Sequence, residues 1–438
     1  MKETLTKTHN LIRVINTLPD ELLKSSQTSN NAKWVTHKLN AIRRYTSLDE
    51  IETKSKLWKK LTDLELRSPI RMADVPVTSA INQEPWLEDW SGVMEITETS
   101  LSVYLNEDLR AAGVIFTDIS SGFDGDQNAS GKSFETSHEK FDNRLSALTE
   151  GTANHGTFLS VPEGLWVEKP FKVIVKTTGA ASFFPLRFVT LLKNHSSAKV
   201  VFEFISAGEN KDSCFIPLIH TGTLGVSSEL ELVEIQTLGA SYFFFPNEVI
   251  EVGKKAALNR FIVDKGSQVT RRAFSADLTQ TGGGAQVTGV YFPNGNQKYI
   301  YDTQQNHMAS DTTSTLLFKG VLDDAAYALW KGNIFVKEGV RGADGYQLNN
   351  TLMLNSAAHA ESIPGLEICT DDVKCSHGVT LSSVDKDQLF YLQTRGIGEE
   401  EGKSLIVDGF IRAALSRIKS AKLQEYVRKI LDKAEPDF

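Results

Sequence analysis

The chain has 438 residues, a formal net charge of −8, 40% hydrophobic residues and 23% charged residues. This composition is typical of a globular protein with length for about three domains. No apolar run reaches the roughly 18–20 residues that span a bilayer, no basic block could neutralise a nucleic-acid backbone, and no signal peptide follows the polar residues 1–10. Three cysteines are an odd and small number, which favours a reducing compartment. We therefore expect a cytoplasmic protein with neither membrane nor nucleic acid as a partner.

The first hundred residues carry helical periodicity. One apolar set recurs at three- and four-residue steps before Pro19, and a second recurs between residues 48 and 66 before Pro69. The first set consists of Leu11, Ile12, Val14, Ile15 and Leu18. Trp86 and Trp90 are four residues apart and would share one helical face, where core packing is their expected role. These patterns predict a largely helical N-terminal domain over residues 1–155.

From residue 156 to residue 384, short runs alternate apolar and polar residues, as half-buried strands do. The run 281–284 (Thr-Gly-Gly-Gly) is predicted to be a turn, because the Lys-Ser/Thr of a phosphate-binding loop is missing. So many strands exceed one simple sandwich, which leaves a large barrel, a double sandwich or a solenoid. Strands recur every 13 to 18 residues between Ile334 and Val379, but no strict repeat is found, so the spacing alone supports a solenoid only weakly.

The period changes back to helical at Asp385, which predicts a C-terminal helical domain over residues 385–438. Asp385 is a predicted helix start and Gly396 a predicted stop. The next helix has a wide apolar stripe, and the last helix precedes Pro436. The stripe comprises Leu405, Ile406, Phe410, Ile411, Ala414, Leu415 and Ile418. It could face the core or a partner protein.

Reactive side chains are concentrated in residues 369–378, whereas the catalytic motifs HExxH, GxSxG and CxxC are absent from the sequence. Cys375 and His377 are two residues apart, so on a strand they face the same side. Thiolate and imidazole are both ligands for iron or zinc, but two ligands do not complete a site, so further ligands would come from elsewhere or from a second chain. The alternative is a packed strand with a histidine at a turn.

The same region resembles the SufD family of the SUF iron–sulfur cluster assembly machinery. The resemblance is carried by ordered blocks that are dense between residues 281 and 410 and weaker before them. The blocks are Lys319 to Asp324, Gly332 to Ile334, Gly345 to Asn350 with Leu352 to Leu354, Pro364 to Ile368, Asp371 to Gly378, Asp387 to Leu392 and Arg395 to Ile397. The block from Asp371 to Gly378 resembles the corresponding block of SufD more closely than that of its paralogue SufB.

The resemblance implies a mainly β fold, with a right-handed parallel β-helix between N-terminal and C-terminal helical domains. It also implies a scaffold subunit without enzymatic activity, which pairs with SufB through the edge of the β-helix and binds the ATPase SufC through the C-terminal helices. In the family a nascent iron–sulfur cluster forms at the SufB junction, and no cofactor is expected on the isolated chain, which could form a homodimer.

Particular residues take roles from this resemblance. His377 matches the histidine that the family places at the SufB junction, and Cys375 is a second candidate ligand. The candidate SufC contact is formed by Phe390, Leu405, Ile406, Phe410 and Ile411. Two residues depart from the family pattern: Cys369 stands where an aromatic residue is common, and Gly402 where alanine is usual.

Two other functions would leave different features in the sequence. A carbohydrate-active β-helix enzyme would need an exported context and clustered carboxylates on one strand face, either as an acid–base pair or to hold Ca²⁺. Asp371 and Asp372 are adjacent, so on a strand they would face opposite sides. A plain adaptor without metal chemistry is the third possibility.

Overall fold

The computed structural model describes residues 9–16, 31–51, 55–62, 64–66, 71–73, 76–81, 85–125, 143–208 and 212–433. Within this part, two long sheets face each other, and from the seventh strand onward consecutive strands alternate between them. From the seventh strand onward all neighbouring strands within each sheet are parallel. This is a parallel β-helix of about 8 coils with helices on both sides in sequence, as predicted. Neither a barrel nor a double sandwich has this strand order.

The strands preceding the β-helix are short. They are β1 (His9–Asn10), β2 (Glu65–Leu66), β3 (Val77–Ala80), β4 (Gly92–Ile96), β5 (Ser100–Leu105) and β6 (Ile115–Asp118). The odd-numbered sheet of the β-helix comprises β7 (His155–Val161), β9 (Leu186–Leu192), β11 (Cys214–Leu224), β13 (Tyr242–Val252), β15 (Val269–Leu278), β17 (Lys298–His307), β19 (Tyr327–Val336) and β21 (His359–Ile368). The even-numbered sheet comprises β8 (Phe171–Thr177), β10 (Ser197–Ser206), β12 (Glu229–Thr237), β14 (Ala257–Asp264), β16 (Gly284–Tyr291), β18 (Thr313–Leu322), β20 (Ala343–Met353) and β22 (Val373–Ser383).

Each coil of the β-helix contributes one strand to each sheet. Cys214 lies beside Tyr242 and Glu229 beside Ala257, so equivalent residues in these coils are 28 positions apart. The coil repeats in space although the sequence has no strict repeat, because a parallel ladder needs only matched strand lengths and alternating side chains. Tight turns join the strands, and the predicted turn at residues 281–284 is confirmed, with Gly282 at φ +77°.

Three large hydrophobic clusters make up most of the core among the described residues. The largest fills the lumen between the two sheets and includes Phe188, Phe244 and Trp330. A second lies between the N-terminal helices and the outer face of the odd-numbered sheet, and a third between the C-terminal helices and the outer face of the even-numbered sheet. Both outer sheet faces are therefore covered along part of their length, as parallel sheets require.

The helices of the N-terminal part are α1 (Leu11–Asn16), α2 (Ala32–Ser47), α3 (Lys56–Lys59), α4 (Glu107–Ala111), α5 (Ile119–Gly125) and α6 (Arg144–Thr152). The prediction of helix is wrong for much of residues 77–118, where β4 extends the even-numbered sheet beside β8, and β6 extends the odd-numbered sheet beside β7. Trp86 lies in a 3₁₀ turn (Pro85–Asp89) and is exposed, whereas Trp90 lies beyond that turn. Trp90 contacts Tyr426 instead of Trp86, because tertiary packing decides its environment.

The C-terminal helices are α7 (Lys386–Thr394), α8 (Glu399–Leu415) and α9 (Ala421–Lys433). Their predicted start and stop are confirmed: the Asp385 side chain accepts hydrogen bonds from the backbone N–H groups of Asp387 and Gln388, and Gly396 has φ +84°. The β-helix runs from His155 to Ser383, while the domain boundaries at residues 155 and 384 stay predictions. Leu18, Pro19, Pro69 and Pro436 lie outside the described residues.

Candidate functional site

The last coil of the β-helix ends both sheets. Among the described strands, β22 pairs only with β20, and β21 pairs only with β19. In the described part of the chain, the outer backbone edge of both strands therefore lacks a partner strand. Such an edge can pair with another protein.

The lumen-facing side of the last coil is defined by strand register. On β20 the lumen residues Gln347, Asn349 and Thr351 are fully buried. Residues paired in a parallel ladder face the same side, so the equivalent lumen residues of β22 are His377, Val379 and Leu381, preceded by Cys375. The predicted shared face of Cys375 and His377 is thus the face that closes the lumen in every earlier coil.

Apolar side chains of this last layer are open to solvent. Val379 and Leu381 of β22 are 39% and 41% exposed, and Leu366 and Ile368 of β21 are 38% and 40% exposed. Leu366 and Ile368 continue the columns of Ile334 and Val336, both fully buried. The end of the β-helix is therefore a cross-section of hydrophobic core without a cap among the described residues, which is a feature of interaction surfaces.

Cys375 is half-buried against a small cluster that contains Ile334 and Val336. Burial raises the pKa of its thiol, whereas a hydrogen bond with the Gly345 backbone partly opposes the shift. The thiol is therefore protonated at neutral pH, and metal binding would require a cation or a basic partner to remove that proton.

His377 is exposed, and in the described part of the chain its imidazole has no hydrogen-bond partner. The alternative that it bonds a turn at Gly378 is not observed, because both residues lie within β22. Among the described residues no three His, Cys, Asp or Glu side chains gather closely enough to hold a metal ion. A metal at His377 would thus need ligands from another molecule.

Two amide side chains brace the open end, and sequence reasoning gave them no role. Gln347 Nε2 donates hydrogen bonds to the backbone oxygens of Gly332 (3.4 Å) and Gly365 (3.0 Å), across the lumen on β19 and β21. Asn349 Nδ2 donates to Ser362 Oγ at 3.1 Å. The signal was the alternation Gln347-Leu348-Asn349, which places two amides on one buried strand face.

The apolar stripe of α8 has two environments in the structure: its second half packs on the β-helix, and its first half is open to solvent. Ile411 is only 5% exposed and packs with Val290 and Val321 on the outer face of the even-numbered sheet, and Phe410 is half-buried against the same cluster. Phe390 and Leu405 are 66% and 47% exposed, and Ile406 is intermediate. Of the five candidate SufC residues, Ile411 is therefore held by the β-helix, because the second half of α8 lies against the sheet, while Phe390 and Leu405 face solvent.

A column of polar side chains on the even-numbered sheet holds this helical region. Glu231, Asn259, Gln286 and Thr315 occupy one register position on four successive strands. The amides of Asn259 and Gln286 donate to the carbonyl of Arg417 at 3.1 and 2.9 Å, and Glu231 accepts from the N–H groups of Lys419 and Ser420. These bonds satisfy the backbone between α8 and α9 and fix its position.

The remaining candidates lie apart from the lumen face. Cys369 directly follows β21 and is exposed. Asp371 and Asp372 lie in the bend between β21 and β22, both exposed, without a third carboxylate among the described residues to form a cation site. Gly402 lies where α7 crosses α8, and a Cβ there would meet Leu389 Cδ1 at 2.9 Å. The absence of a side chain at Gly402 thus allows the two helices to approach closely.

Comparison with known proteins places this architecture in a family. The model of the SUF system FeS cluster assembly SufBD core domain matches residues 175–410, which is more than half of the chain. The chain belongs to the SufBD core family. The matched region covers most of the β-helix, including Cys375 and His377, and extends through α7 to Phe410 of α8.

Curated relatives in this family carry the name SufD, which confirms the resemblance. The chain is 25% identical to SufD of Bacillus subtilis over 356 residues, 79% of each chain. It is 26% identical to SufD of Escherichia coli over 285 residues, 64% of this chain and 67% of that protein. It is 32% identical to a SufBD family protein of Mycobacterium leprae over 182 residues, 40% of this chain and 46% of that protein. The chain is therefore a SufD-type protein of the SUF system.

Within the described residues, no helix is both long enough and apolar enough to cross a bilayer.

The environments of the three cysteines predict an order of alkylation. Exposed Cys369 should react first, Cys375 more slowly because burial raises its pKa, and fully buried Cys214 at least about tenfold more slowly still, because its pKa is raised strongly. Peptide mass spectrometry of the native protein after timed iodoacetamide treatment at pH 8 measures this order. Cys369→Ser identifies the fast site, and a Cys375 rate equal to that of Cys369 would contradict the half-buried position.

Proposed function

We propose that this protein is the non-catalytic scaffold subunit of a SufB–SufC–SufD complex in the cytoplasm. In this complex it pairs with SufB, binds SufC, and contributes to iron acquisition and cluster formation at the SufB junction. Membership of the SufBD core family supports a role in iron–sulfur cluster assembly. The observation that carries the finer proposal is the open last coil, where two unpaired strand edges surround exposed lumen residues.

The chemistry of the open coil favours another β-helix as its partner. A cap must offer hydrogen-bonding groups to β21 and β22 at once and cover Leu366, Ile368, Val379 and Leu381. The end coil of a paralogous β-helix would offer two strands at a comparable spacing and lumen residues between them. SufB is such a paralogue, so the junction would continue both sheets from one chain into the other.

The nascent iron–sulfur cluster is cargo in this proposal. His377 lies on the lumen face of the coil that would meet SufB, and its ring nitrogens have no partner among the described residues. Neutral imidazole is a ligand for iron, and SufB would supply the other ligands. Cys375 is a weaker candidate, because its raised pKa keeps the thiol protonated until iron or a basic group arrives.

The SufC contact is proposed for the solvent-facing part of the C-terminal helices. Phe390 and Tyr391 of α7 are exposed, as is Leu405 of α8, and α7 has no buried residue. The opposite side of α8 is occupied by the β-helix, which leaves this apolar face available to a partner. The polar column from Glu231 to Thr315 would keep the face in position.

Charge on the lumen face of β22 should prevent pairing with SufB. In the double variant Val379→Glu and Leu381→Glu, two carboxylates would be buried at the junction without counter-charges, so we expect SufB binding to weaken by at least about tenfold. Co-purification of tagged SufD-type protein with co-expressed SufB and SufC measures this. The control Thr380→Glu lies on the same strand but on the outer face and should retain SufB. Normal SufB recovery with the double variant would place the junction elsewhere.

Charge on the exposed helical face should prevent SufC binding. Phe390→Glu and Leu405→Glu each place a carboxylate in the proposed apolar contact, and we expect loss of SufC from the same co-purification with SufB retained. Ala413→Glu is the matched control, because Ala413 is exposed on α8 toward the end that packs on the sheet. SufC recovery that falls equally with Ala413→Glu would indicate a general disturbance of α8 and would count against this face.

Removal of the His377 imidazole should reduce cluster content without dissolving the complex. We expect the His377→Ala complex to keep SufB and SufC in normal ratio and to hold at most about a tenth of the wild-type iron and acid-labile sulfide after anaerobic reconstitution. Cys375→Ser should have a milder effect if that thiol only packs. Normal iron and sulfide in the His377→Ala complex would exclude the ligand role, and loss of SufB would assign His377 to the junction itself.

A further inference from the structure

One surface turn joins β16 to β17 and contains the sequence Asn294-Gly295-Asn296. The backbone N–H of Gln297 donates to the carbonyl oxygen of Asn294 at 3.0 Å, which closes a four-residue turn. Gly295 has φ +55°, a left-handed conformation that glycine adopts without strain. The backbone of the turn is therefore fixed by a hydrogen bond, although Asn294 and Asn296 are both exposed.

This turn lies beside the corresponding turn of the next coil, which joins β18 to β19. The Asp323 N–H donates to the carbonyl oxygen of Pro293 at 3.1 Å, and the Ala325 N–H donates to that of Gly295 at 3.0 Å. Between these two bonds, Asp324 Oδ2 accepts a hydrogen bond from the backbone N–H of Gly295 at 3.0 Å. A carboxylate of one coil is therefore placed directly on a backbone N–H of the coil before it.

The side chain of Asn294 has space to move. In the described part of the chain its amide makes no hydrogen bond. The next residue is a glycine, and apart from the residues on either side of Gly295, no atom lies within 4 Å of the position that a Cβ there would take. The surroundings of the Gly295 nitrogen are therefore open to the Asn294 side chain.

We propose that Asn294 is a site of self-catalysed deamidation, at which the Gly295 nitrogen attacks the Asn294 side chain and the Asp324 carboxylate is the general base. A bond forms between Gly295 N and Asn294 Cγ, and the N–H proton passes to Asp324 Oδ2. The bond between Cγ and Nδ2 then breaks, and the nitrogen takes that proton and leaves as ammonia. Water opens the resulting cyclic imide at either carbonyl, which leaves aspartate or isoaspartate in place of Asn294.

The position of Asp324 supports its role as the base. A backbone nitrogen is a weak nucleophile, because its electron pair is delocalised into the carbonyl group, and loss of its proton makes it reactive. A distance of 3.0 Å from nitrogen to carboxylate is within the range for proton transfer. The carboxylate lies along the N–H bond, in the peptide plane, whereas Asn294 Cγ would approach from above this plane. Base and electrophile can therefore act on the same nitrogen without a clash.

The products would disturb the corner between the two coils. Either product adds a carboxylate next to Asp323 and Asp324, and like charges at this distance repel each other. Isoaspartate also lengthens the backbone between the carbonyl groups of Pro293 and Gly295, which bond to successive residues of the next turn. The two hydrogen bonds cannot both keep their present geometry, so the modification would loosen this corner of the β-helix.

Asn296 is a matched control within the same turn. It is exposed like Asn294, but it is followed by Gln297, whose side chain obstructs the approach to the backbone nitrogen. The N–H of Gln297 is also bonded to a carbonyl oxygen, which is a far weaker base than a carboxylate. Asn296 should therefore be converted much more slowly than Asn294.

The rate at each asparagine can be measured on the full-length protein. During incubation at neutral pH, peptide mass spectrometry with electron-transfer fragmentation follows aspartate and isoaspartate at both positions. We expect Asn294 to be converted at least about tenfold faster than Asn296, and no more slowly in the folded protein than in guanidinium chloride, because the fold supplies the base. A rate at Asn294 that rises on unfolding would overturn the proposal, since the fold would then protect this side chain.

Two variants test the role of the carboxylate. Asp324→Asn removes the base and keeps a residue that tolerates φ +51°. We expect conversion of Asn294 to slow at least about threefold near pH 6, and the difference to vanish toward about pH 9, where hydroxide removes the proton in both proteins. Asp323→Asn makes the same change of charge but keeps the oxygen that accepts from the Asp324 N–H, so it should retain the wild-type rate.

Three results of this comparison would overturn the assignment of Asp324. Faster conversion in Asp324→Asn would show that its hydrogen bond protects Asn294. A rate ratio that stays the same at every pH would assign Asp324 a structural role in the turn. Equal slowing by Asp323→Asn would assign the effect to local charge.

Discussion

The hydrogen-bonding edge of a parallel coil is the constraint on which this structure depends. The backbone N–H and C=O groups of each coil form hydrogen bonds with the next coil, so every coil needs a following one. The last strand of the described stack ends at Ser383 and has no following strand there. At the other end the protein meets the requirement itself, because β4 and β6 pair with the first coil and short strands and helices follow. After the last coil the described chain continues into the C-terminal helices. These helices pack on the outer face of the even-numbered sheet and do not cover the open end of the β-helix.

The placement of the C-terminal helices has the same physical origin. A parallel sheet cannot leave its outer face in water, and the apolar residues Val233, Phe261 and Val290 are covered by α8 and α9. Once α8 is used in this way, only its first half and α7 present apolar side chains to solvent. Glu231, Asn259 and Gln286 hold the backbone between α8 and α9 by directed hydrogen bonds, so the position of this face is tied to three coils of the β-helix.

The fold class and the shared face of Cys375 and His377 could be predicted from the sequence. The strands that precede the β-helix and the packing of the C-terminal helices could not. Alternation of apolar and polar residues gave the strands, and the spacing of Cys375 and His377 gave their common face, because both depend on a period of two. The strands between residues 77 and 118 were missed, since their pairing with β8 and β7 is decided by residues far along the chain. The burial of Ile411 was missed for the same reason: a helical stripe does not reveal which part of it meets the sheet. The buried ion pairs of Arg260 with Glu234 and Glu248 were also missed, because the three residues lie on different strands and look like solvent-facing residues of alternating strands.

Position within the stack decides what a lumen histidine can do. His220 has both nitrogens engaged, by Thr190 and Glu248, and His307 has both engaged, by Thr312 and Ser314, with burial lowering the pKa of His307 to about 4. The partners of His220 come from the coils before and after it, whereas the partners of His307 follow it in the same coil, and both rings are buried. His377 faces the same lumen but has a coil on one side only, so its ring has neither been satisfied nor been desolvated. Of these three histidines, only His377 in the last coil presents an exposed ring that could accept a metal from outside, and further ligands would then come from the molecule that completes the stack.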